Sequence, residues 1–252
     1  MGNDDLVQTV RRGDGQVIYT TIEDLWENYE DLLIRLAHEI DAKDIAELGG
    51  GANPLVGNSE RWGFAAKRTV VDISATELEK AETTVETRVA DLCKPVDDDL
   101  AAYDLVFSQM LCEHLPDPVA FHRNCFNLLR PGGLAVHFFP TLYTLPYVIN
   151  KIIPEETARS ILRKAQPGRL EDPKREKFPA FYRWTTGPTP KARKRFESVG
   201  FTVGGWQACF GHRYYEVIPP LHAVEQAKSK YLLKHPVPAL TSFGVVILRK
   251  PS

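Results

Sequence analysis

Glu47-Leu48-Gly49-Gly50-Gly51-Ala52-Asn53 sets an acid two residues ahead of three consecutive glycines, and Asp72 follows 21 residues after Gly51. Glycine lets a ligand approach the backbone, and a carboxylate at that distance can grip the two hydroxyls of a ribose. A nucleoside-like ligand therefore suits the pair, with a glycine turn that holds nothing as the plain alternative. A dinucleotide suits it less. Its pyrophosphate needs a third glycine and the amino end of an uninterrupted helix, whereas Asn53-Pro54 follows here and Gly57-Asn58 breaks the next helical stretch. No Gly-Lys-Ser or Gly-Lys-Thr phosphate loop occurs. For proton transfer near neutrality histidine is the natural side chain, and His114, His137 and His212 are the candidates, while His122 reads as structural.

The elements that must position these residues follow from periodicity. Asp44 to Leu48 is a short buried strand running into the glycines, and further strands are expected at Thr69–Ile73, Thr87–Asp91, Tyr103–Ser108 and Leu134–Phe139. Helical patterns lie between them at Ala75–Thr83 and Pro118–Leu129, the latter with Asp117 as cap, a first-turn proline and Gly132-Gly133 as stop. Leu25, Tyr29, Leu32, Leu33, Leu36 and Ile40 form a leading amphipathic helix behind Thr20 and Thr21. After Pro190 come a helix at Lys191–Val199, a strand near Phe201–Ala208, a partly helical stretch through Tyr231 and a last strand, Phe243–Leu248. Alternating strands and helices imply parallel pairing with right-handed crossovers, so the expected fold is α/β: a doubly wound, mostly parallel, seven-stranded sheet. The expected organisation is a single domain over residues 1–252, with a helical extension at 1–43 and a helical substrate cap inserted at 140–190 after the fifth of these strands.

Bulk properties narrow the function. Thirty-one basic against 33 acidic residues give a net charge of -2, with no global attraction to a polyanion. The charge is uneven, however, since residues 151–195 hold 13 basic and 5 acidic side chains. The polar, acidic start, Met1-Gly2-Asn3-Asp4-Asp5, is no secretion address, and no apolar run approaches the ~20 residues of a membrane helix. Cys93, Cys112, Cys125 and Cys209 are widely spaced, without a Cys-x-x-Cys or His-x-Cys cluster, so buried thiols in a reducing cytoplasm are expected and no metal site is. Asp97-Asp98-Asp99 reads as a surface loop, not a cation site.

From Asp44 to Phe139 the chain resembles the class I methyltransferases that use S-adenosylmethionine. Glu47-x-Gly49-x-Gly51 is similar to that family's first motif, Val70-Val71-Asp72 to its second and Ala90-Asp91-Leu92 to its adenine-side position. Asp104 to Ser108 with Glu113-His114-Leu115, and Leu129-Arg130-Pro131-Gly132-Gly133, resemble its fourth strand and the turn before its fifth. The departure is Asn53, where many members carry a third glycine. The resemblance implies that Gly49, Gly51 and Asn53 pass the methionine part of the cofactor and Glu47 holds its amino group directly or through water. It implies that Asp72 and Ile73 receive the ribose side, Asp91 and Leu92 the adenine, and Ser108 and Gln109 the mouth of the fourth strand.

A sulfonium already makes its methyl group electrophilic, so such an enzyme chiefly aligns the reactants and excludes water. A hydroxyl acceptor would add the need for a base, for which His114 is the first choice and His137 and His212 the second. The Asn-Pro-Pro-Tyr signature of base-modifying enzymes is missing, Ser108-Gln109-Met110-Leu111 standing in its place, and no nucleic-acid partner is expected. The expected acceptor is a small molecule, a hydroxyl on a sugar, glycan or secondary metabolite. Aromatics Tyr143, Tyr147, Phe178, Phe181, Tyr182 and Trp184 could wall its pocket, and Arg163, Lys164, Arg169, Lys174, Arg175, Lys177 and Arg183 would suit an anionic acceptor or form a solvated face. Two other readings stand beside this one: an NAD-dependent oxidoreductase and a non-catalytic, S-adenosylmethionine-binding regulator.

Overall fold

The computed structural model describes residues 3–58, 60–81, 85–96, 100–142, 179–216 and 218–252. Its strands are β1 (Val17–Thr20), β2 (Asp44–Leu48), β3 (Lys67–Asp72), β4 (Glu86–Val89), β5 (Tyr103–Gln109), β6 (Leu129–Pro140), β7 (Thr202–Cys209) and β8 (Phe243–Arg249). They form an eight-stranded sheet in the order β1-β7-β8-β6-β5-β2-β3-β4. β8 alone runs against its neighbours, β6 and β7; the other recorded pairings are parallel. The α/β, doubly wound, mostly parallel reading holds, with eight strands instead of seven. The added strand is β1, four residues whose single buried position gives no alternation to read. It pairs with β7 at the edge, Val17 opposite Trp206.

The helices are α1 (Asn3–Arg12), α2 (Ile22–Glu27), α3 (Tyr29–Glu39), α4 (Leu55–Asn58), α5 (Ala75–Lys80), α6 (Pro118–Leu128), α7 (Pro190–Glu197) and α8 (Pro219–Lys234). The expected leading helix is two: Thr21 caps α2 by accepting from the Asp24 amide, and Asn28 separates it from α3. The stretch before Tyr231 is firmer than expected, a helix of 16 residues. Asp117 caps α6 through the Val119 and Ala120 amides, at 3.0 Å each. Residues 130–133 bulge from β6, since Tyr103 pairs with Leu129 and Leu105 with Leu134, and the turn read before that strand is this bulge.

The sheet is buried on both faces, which is why its strands read as nearly continuous apolar runs. Ile45, Leu105, Phe107, Leu134, Val136 and Phe138 face one core, closed by Leu6 and Val10 of α1 and by Tyr29, Leu32, Leu33 and Leu36 of α3. Ala46, Leu48, Val106, Ala135 and Phe139 face the other, closed by Phe121, Cys125 and Leu128 of α6 and Phe196 of α7. Period-two alternation places His137 on this second face, between Ala135 and Phe139. Of the expected cap, residues 143–178 lie outside the described residues, and with them Tyr143, Tyr147, Phe178 and the basic residues up to Lys177; so does Asp97-Asp98-Asp99. Both ends of that segment are tied down. The Leu142 amide donates to the Thr185 carbonyl (2.8 Å), and the Phe181 and Tyr182 amides donate to the Glu113 carbonyl (2.7 and 3.1 Å).

One bond joins α3 to the strand that matters most below. The hydroxyl of Tyr29, 2% exposed, donates to the Ser108 carbonyl at 2.9 Å. Removing a buried neutral hydrogen bond of this kind costs about 1 kcal/mol, so Tyr29→Phe should lower the unfolding free energy by about that amount. Urea unfolding followed by circular dichroism checks this; an unchanged midpoint would mean that the hydroxyl contributes nothing.

Candidate active site

The chain leaves β2 toward β3 on one side, and β5 later joins β2 on the other. Such a reversal opens a crevice beyond the carboxyl ends of the two central strands. The glycine loop follows β2 and Met110 to His114 follow β5, so both line it.

Gly49 and Gly51 take the left-handed conformation, with φ of 74° and 49°. A Cβ on Gly49 would come within 2.8 Å of Leu111 Cδ1, and one on Gly50 within 2.7 Å of Val70 Cγ1, so the loop is glycine for packing as well as for torsion. Asp72 holds it from below. Its Oδ2 accepts from the Gly51 amide (3.0 Å) and its Oδ1 from the Ser74 amide (2.8 Å). Burial raises this half-buried carboxyl above its ordinary value, against those two bonds. A Cβ on Gly51 would sit 3.5 Å from Asp72 Oδ2, so the glycine leaves open the face of the carboxylate. Beside it Ile73 is 62% exposed, an apolar side chain at a strand end with nothing over it among the described residues. Asn53 is exposed, and its amide donates to the Gly50 carbonyl (3.3 Å), closing the loop without a third glycine.

Glu47 lies deeper than a ligand-facing acid. It is 3% exposed, and its Oε2 accepts from the Val56 amide at 2.9 Å. Burial pushes its carboxyl up to about 7, against bonds from Val56 and Leu55. The amino end of α4 is thereby occupied by a protein carboxylate, and α4 has only four residues, so a pyrophosphate finds no helix to bind. Asp91 accepts from the Cys93 amide (3.0 Å) and pairs with Lys94 (3.1 Å), next to the buried Leu92. Gln109 ends β5 half-buried, whereas Ser108 turns inward, its hydroxyl 2.8 Å from His137 Nδ1.

The three candidate bases part company here. His137 is fully buried, and burial pulls its pKa down to about 3, so it meets no solvent-borne acceptor. His212, at the end of β7, accepts at Nδ1 from the Tyr214 amide and faces Glu225 with Nε2 (3.6 Å). With strands roughly 4.8 Å apart, β7 is three positions and about 14 Å from β5, too far to serve that crevice. His114 is at the crevice. Its Nδ1 lies 2.8 Å from the Pro179 carbonyl, which only accepts, so Nδ1 carries the proton and Nε2 keeps its lone pair. Burial lowers its pKa below 6.5, against that hydrogen bond, so the ring is neutral at pH 7.

Two residues of this site appear in the sequence reading only as members of motifs, with no role of their own. Glu113 is buried, its Oε1 3.7 Å from His114 Nε2 and its Oε2 without a hydrogen-bond partner among the described residues. Nothing in a Glu-His pair at a strand end signals that the acid points inward. Met110 adopts φ 55°, a strained value for a non-glycine, with its amide donating to the Phe138 carbonyl (2.8 Å). A cavity of about 380 Å³ lined by Arg11, Glu39, Asp104, Gly132 and Arg249 lies at the opposite, amino edge of the sheet and belongs to neither strand end discussed here.

Comparison with known proteins bears on this geometry directly. Residues 46–137, from β2 through β6, match the methyltransferase-domain family. Over this stretch the chain is similar to the methyltransferase domains that use S-adenosylmethionine. Among curated relatives, a ubiquinone biosynthesis O-methyltransferase of Neisseria meningitidis serogroup C is 31% identical over 116 residues, 43% of this chain and 48% of that protein. The chain spans about half the length of the curated relatives it matches. Among solved structures, a sarcosine dimethylglycine methyltransferase, described as putative, from Galdieria sulphuraria superposes with a TM-score of 0.53 at 15% identity, covering 91% of this chain and 87% of that one. Phosphoethanolamine N-methyltransferase 2 of Haemonchus contortus, in complex with S-adenosyl-L-methionine, gives 0.51 at 14% identity, covering 83% and 49%. These two show the shared fold. No helix among the described residues is long and apolar enough to cross a membrane.

The buried acid of this site makes a stability prediction. Burial pushes Glu113 up to about 8 from 4.5, so its contribution is intact below pH 4.5 and is lost as pH rises through 8. Glu113→Gln should therefore gain on the wild type between pH 5 and 8, by on the order of a few kcal/mol at the upper end. Denaturant midpoints of the two proteins that run parallel across this range would show that the acid does not titrate there.

Proposed function

We propose that this chain transfers a methyl group from S-adenosylmethionine to a hydroxyl of a small-molecule acceptor, with His114 as the base. The observation that carries the reading is the fixed tautomer of His114 at the mouth of β5, Nδ1 tied to the Pro179 carbonyl and Nε2 left able to accept a proton. The O-methyltransferase name of the curated relatives supports a hydroxyl acceptor, and the 13-to-5 excess of basic residues over 151–195 favours an anionic one.

The residues present fit the cofactor. Asp72 keeps an open carboxylate face beside Gly51, suited to two ribose hydroxyls; Ile73 and Leu92 offer apolar surface for adenine, and Asp91 an acceptor for its amine. When bound, S-adenosylmethionine supplies an electrophilic methyl group on a sulfonium. The chain's own task is to bind, orient and dry the reactants. Gly49 and Gly51 let the backbone come close, and Leu111, against Gly49, closes the crevice toward β5. His114 Nε2 accepts the acceptor's hydroxyl proton, and Glu113, its nearest acid at 3.7 Å, is held protonated near neutrality by burial and so leaves the ring without a standing counter-charge. Phe181 and Tyr182, docked on the Glu113 carbonyl, bring aromatic surface to the same turn.

Calorimetric titration with S-adenosylhomocysteine and with NADH tests the cofactor assignment: the first should bind and the second should not. Asp72→Ala should weaken S-adenosylhomocysteine about tenfold, the loss of one charge-assisted contact of ~1.5 kcal/mol. NADH binding tighter than S-adenosylhomocysteine would make the chain an oxidoreductase instead.

For the base, His114→Gln should lower kcat by about 10² or more while leaving the affinity for S-adenosylhomocysteine within a few-fold. Because burial holds the His114 pKa below 6.5, kcat/KM for the acceptor should rise with pH to a plateau reached from a midpoint below 6.5. A variant as active as the wild type, or a midpoint above 7, removes His114 from the mechanism.

A further inference from the structure

The second core holds a polar cluster that methyl transfer does not use. His122 and Cys125 sit at i and i+3 on one face of α6, and His137 of β6 points up at them. They are 2%, 1% and 0% exposed. One nitrogen of each imidazole and the thiol sulfur lie within 4.8 Å of one another. Apolar neighbours seal the group: Trp184 stacks on His122 with ring centroids 5.4 Å apart, and Phe121 and Phe196 meet it edge-on.

What makes the cluster unusual is its unmet valence. His122 Nδ1 and His137 Nε2 are both buried and have no hydrogen-bond partner among the described residues. Native cores rarely leave such atoms unpaired, since each costs about 1–3 kcal/mol. The two rings are 5.1 Å apart at 70°, an edge-on contact with no hydrogen bond between them. His137 is meanwhile held at its other nitrogen by Ser108 Oγ (2.8 Å), the outer hydrogen bond that orients a metal-binding histidine.

We propose that His122, Cys125 and His137 form a structural site for a thiophilic d10 cation, Zn2+ or Cu+, clamping α6 to β6 beneath the cofactor crevice. Two neutral imidazoles and a thiolate are a borderline-to-soft donor set that such ions prefer to the hard cations. Metal–ligand bonds of ~2.0–2.3 Å bring donors to roughly 3.5 Å of one another, so the present spacing closes by about 1 Å on binding. On entry the Cys125 thiol gives its proton to water and its sulfur lone pair to the ion, with no change of oxidation state. The charge then separates the two ions. Cu+ with one thiolate is neutral, as a dry core favours. Zn2+ with one thiolate leaves a net positive charge, and neutrality takes a second thiolate. Cys112 contacts Ser108 Oγ at 3.7 Å and is not among the clustered donors, so the single thiolate favours Cu+.

The test uses the whole chain without an affinity tag of histidines. Protein refolded with Co2+, Zn2+ or Cu+ and desalted should retain one equivalent of metal by mass spectrometry, and the cobalt form should show the near-ultraviolet thiolate-to-cobalt charge-transfer band. Cys125→Ser should abolish that band and His137→Gln should reduce retention at least tenfold. X-ray absorption on the wild-type metal form needs no variant to fold, and it should find both nitrogen and sulfur neighbours. Cu+ should be retained in preference to Zn2+, and Cys112→Ser should leave that retention unchanged. A chain that retains none of the three ions, or a metal shell without sulfur, overturns the site.

Discussion

The carboxylate of Asp72 against the Gly51 amide is the contact on which the crevice depends. A strand that ends at Leu48 must turn at once, and two left-handed glycines make the turn possible without deciding its course. Asp72 decides it, because its two oxygens are committed to backbone amides on either side, Gly51 from β2 and Ser74 from its own strand. Everything distal is referred to that pair. Leu111 packs against Gly49 only if the loop lies there, and the Met110 amide reaches Phe138 only if β5 ends beside it. Under the proposed function the same carboxylate would also meet a ribose, so that ligand recognition and loop geometry would share one side chain.

The parallel sheet and the glycine loop were legible because each rests on local, periodic or spacing information. Strands buried on both faces are continuous apolar runs, and Asp117-Pro118 is a helix start wherever it occurs. What was lost depends on long-range partners. β1 becomes a strand because β7 offers it an edge, and four residues of half-buried sequence carry no such message. α8 reads as irregular because its two buried positions are Glu225 and Leu232, with His222 and Ser229 half-buried, so its polar pattern resembles a loop.

The site was legible to a similar depth. The glycines and the acids lie at the strand ends that periodicity marks, but the direction in which a side chain points was not available. Glu47 turns under the loop toward Val56, and Ser108 turns to the core. His137 and His114 are alike as residue types; period-two alternation within β6 buries the first, and the Pro179 carbonyl, 65 residues away in sequence, fixes the second. Desolvation explains the perturbed acids in the same way, since Glu47 and Glu113 owe their raised pKa values to neighbours that the chain brings in from elsewhere.

The anchoring of residues 143–178 at both ends has an evolutionary consequence. Leu142 is pinned to Thr185, and Phe181 and Tyr182 are pinned to Glu113, so the stretch between begins and ends at fixed points beside the reacting groups. The endpoints are set by contacts made outside the stretch and do not depend on its length. Insertions, deletions or wholesale exchange within it would thus leave the endpoints, and the tautomer that Pro179 imposes on His114, where they are. Change in that stretch is therefore uncoupled from the position of the two anchored ends it connects.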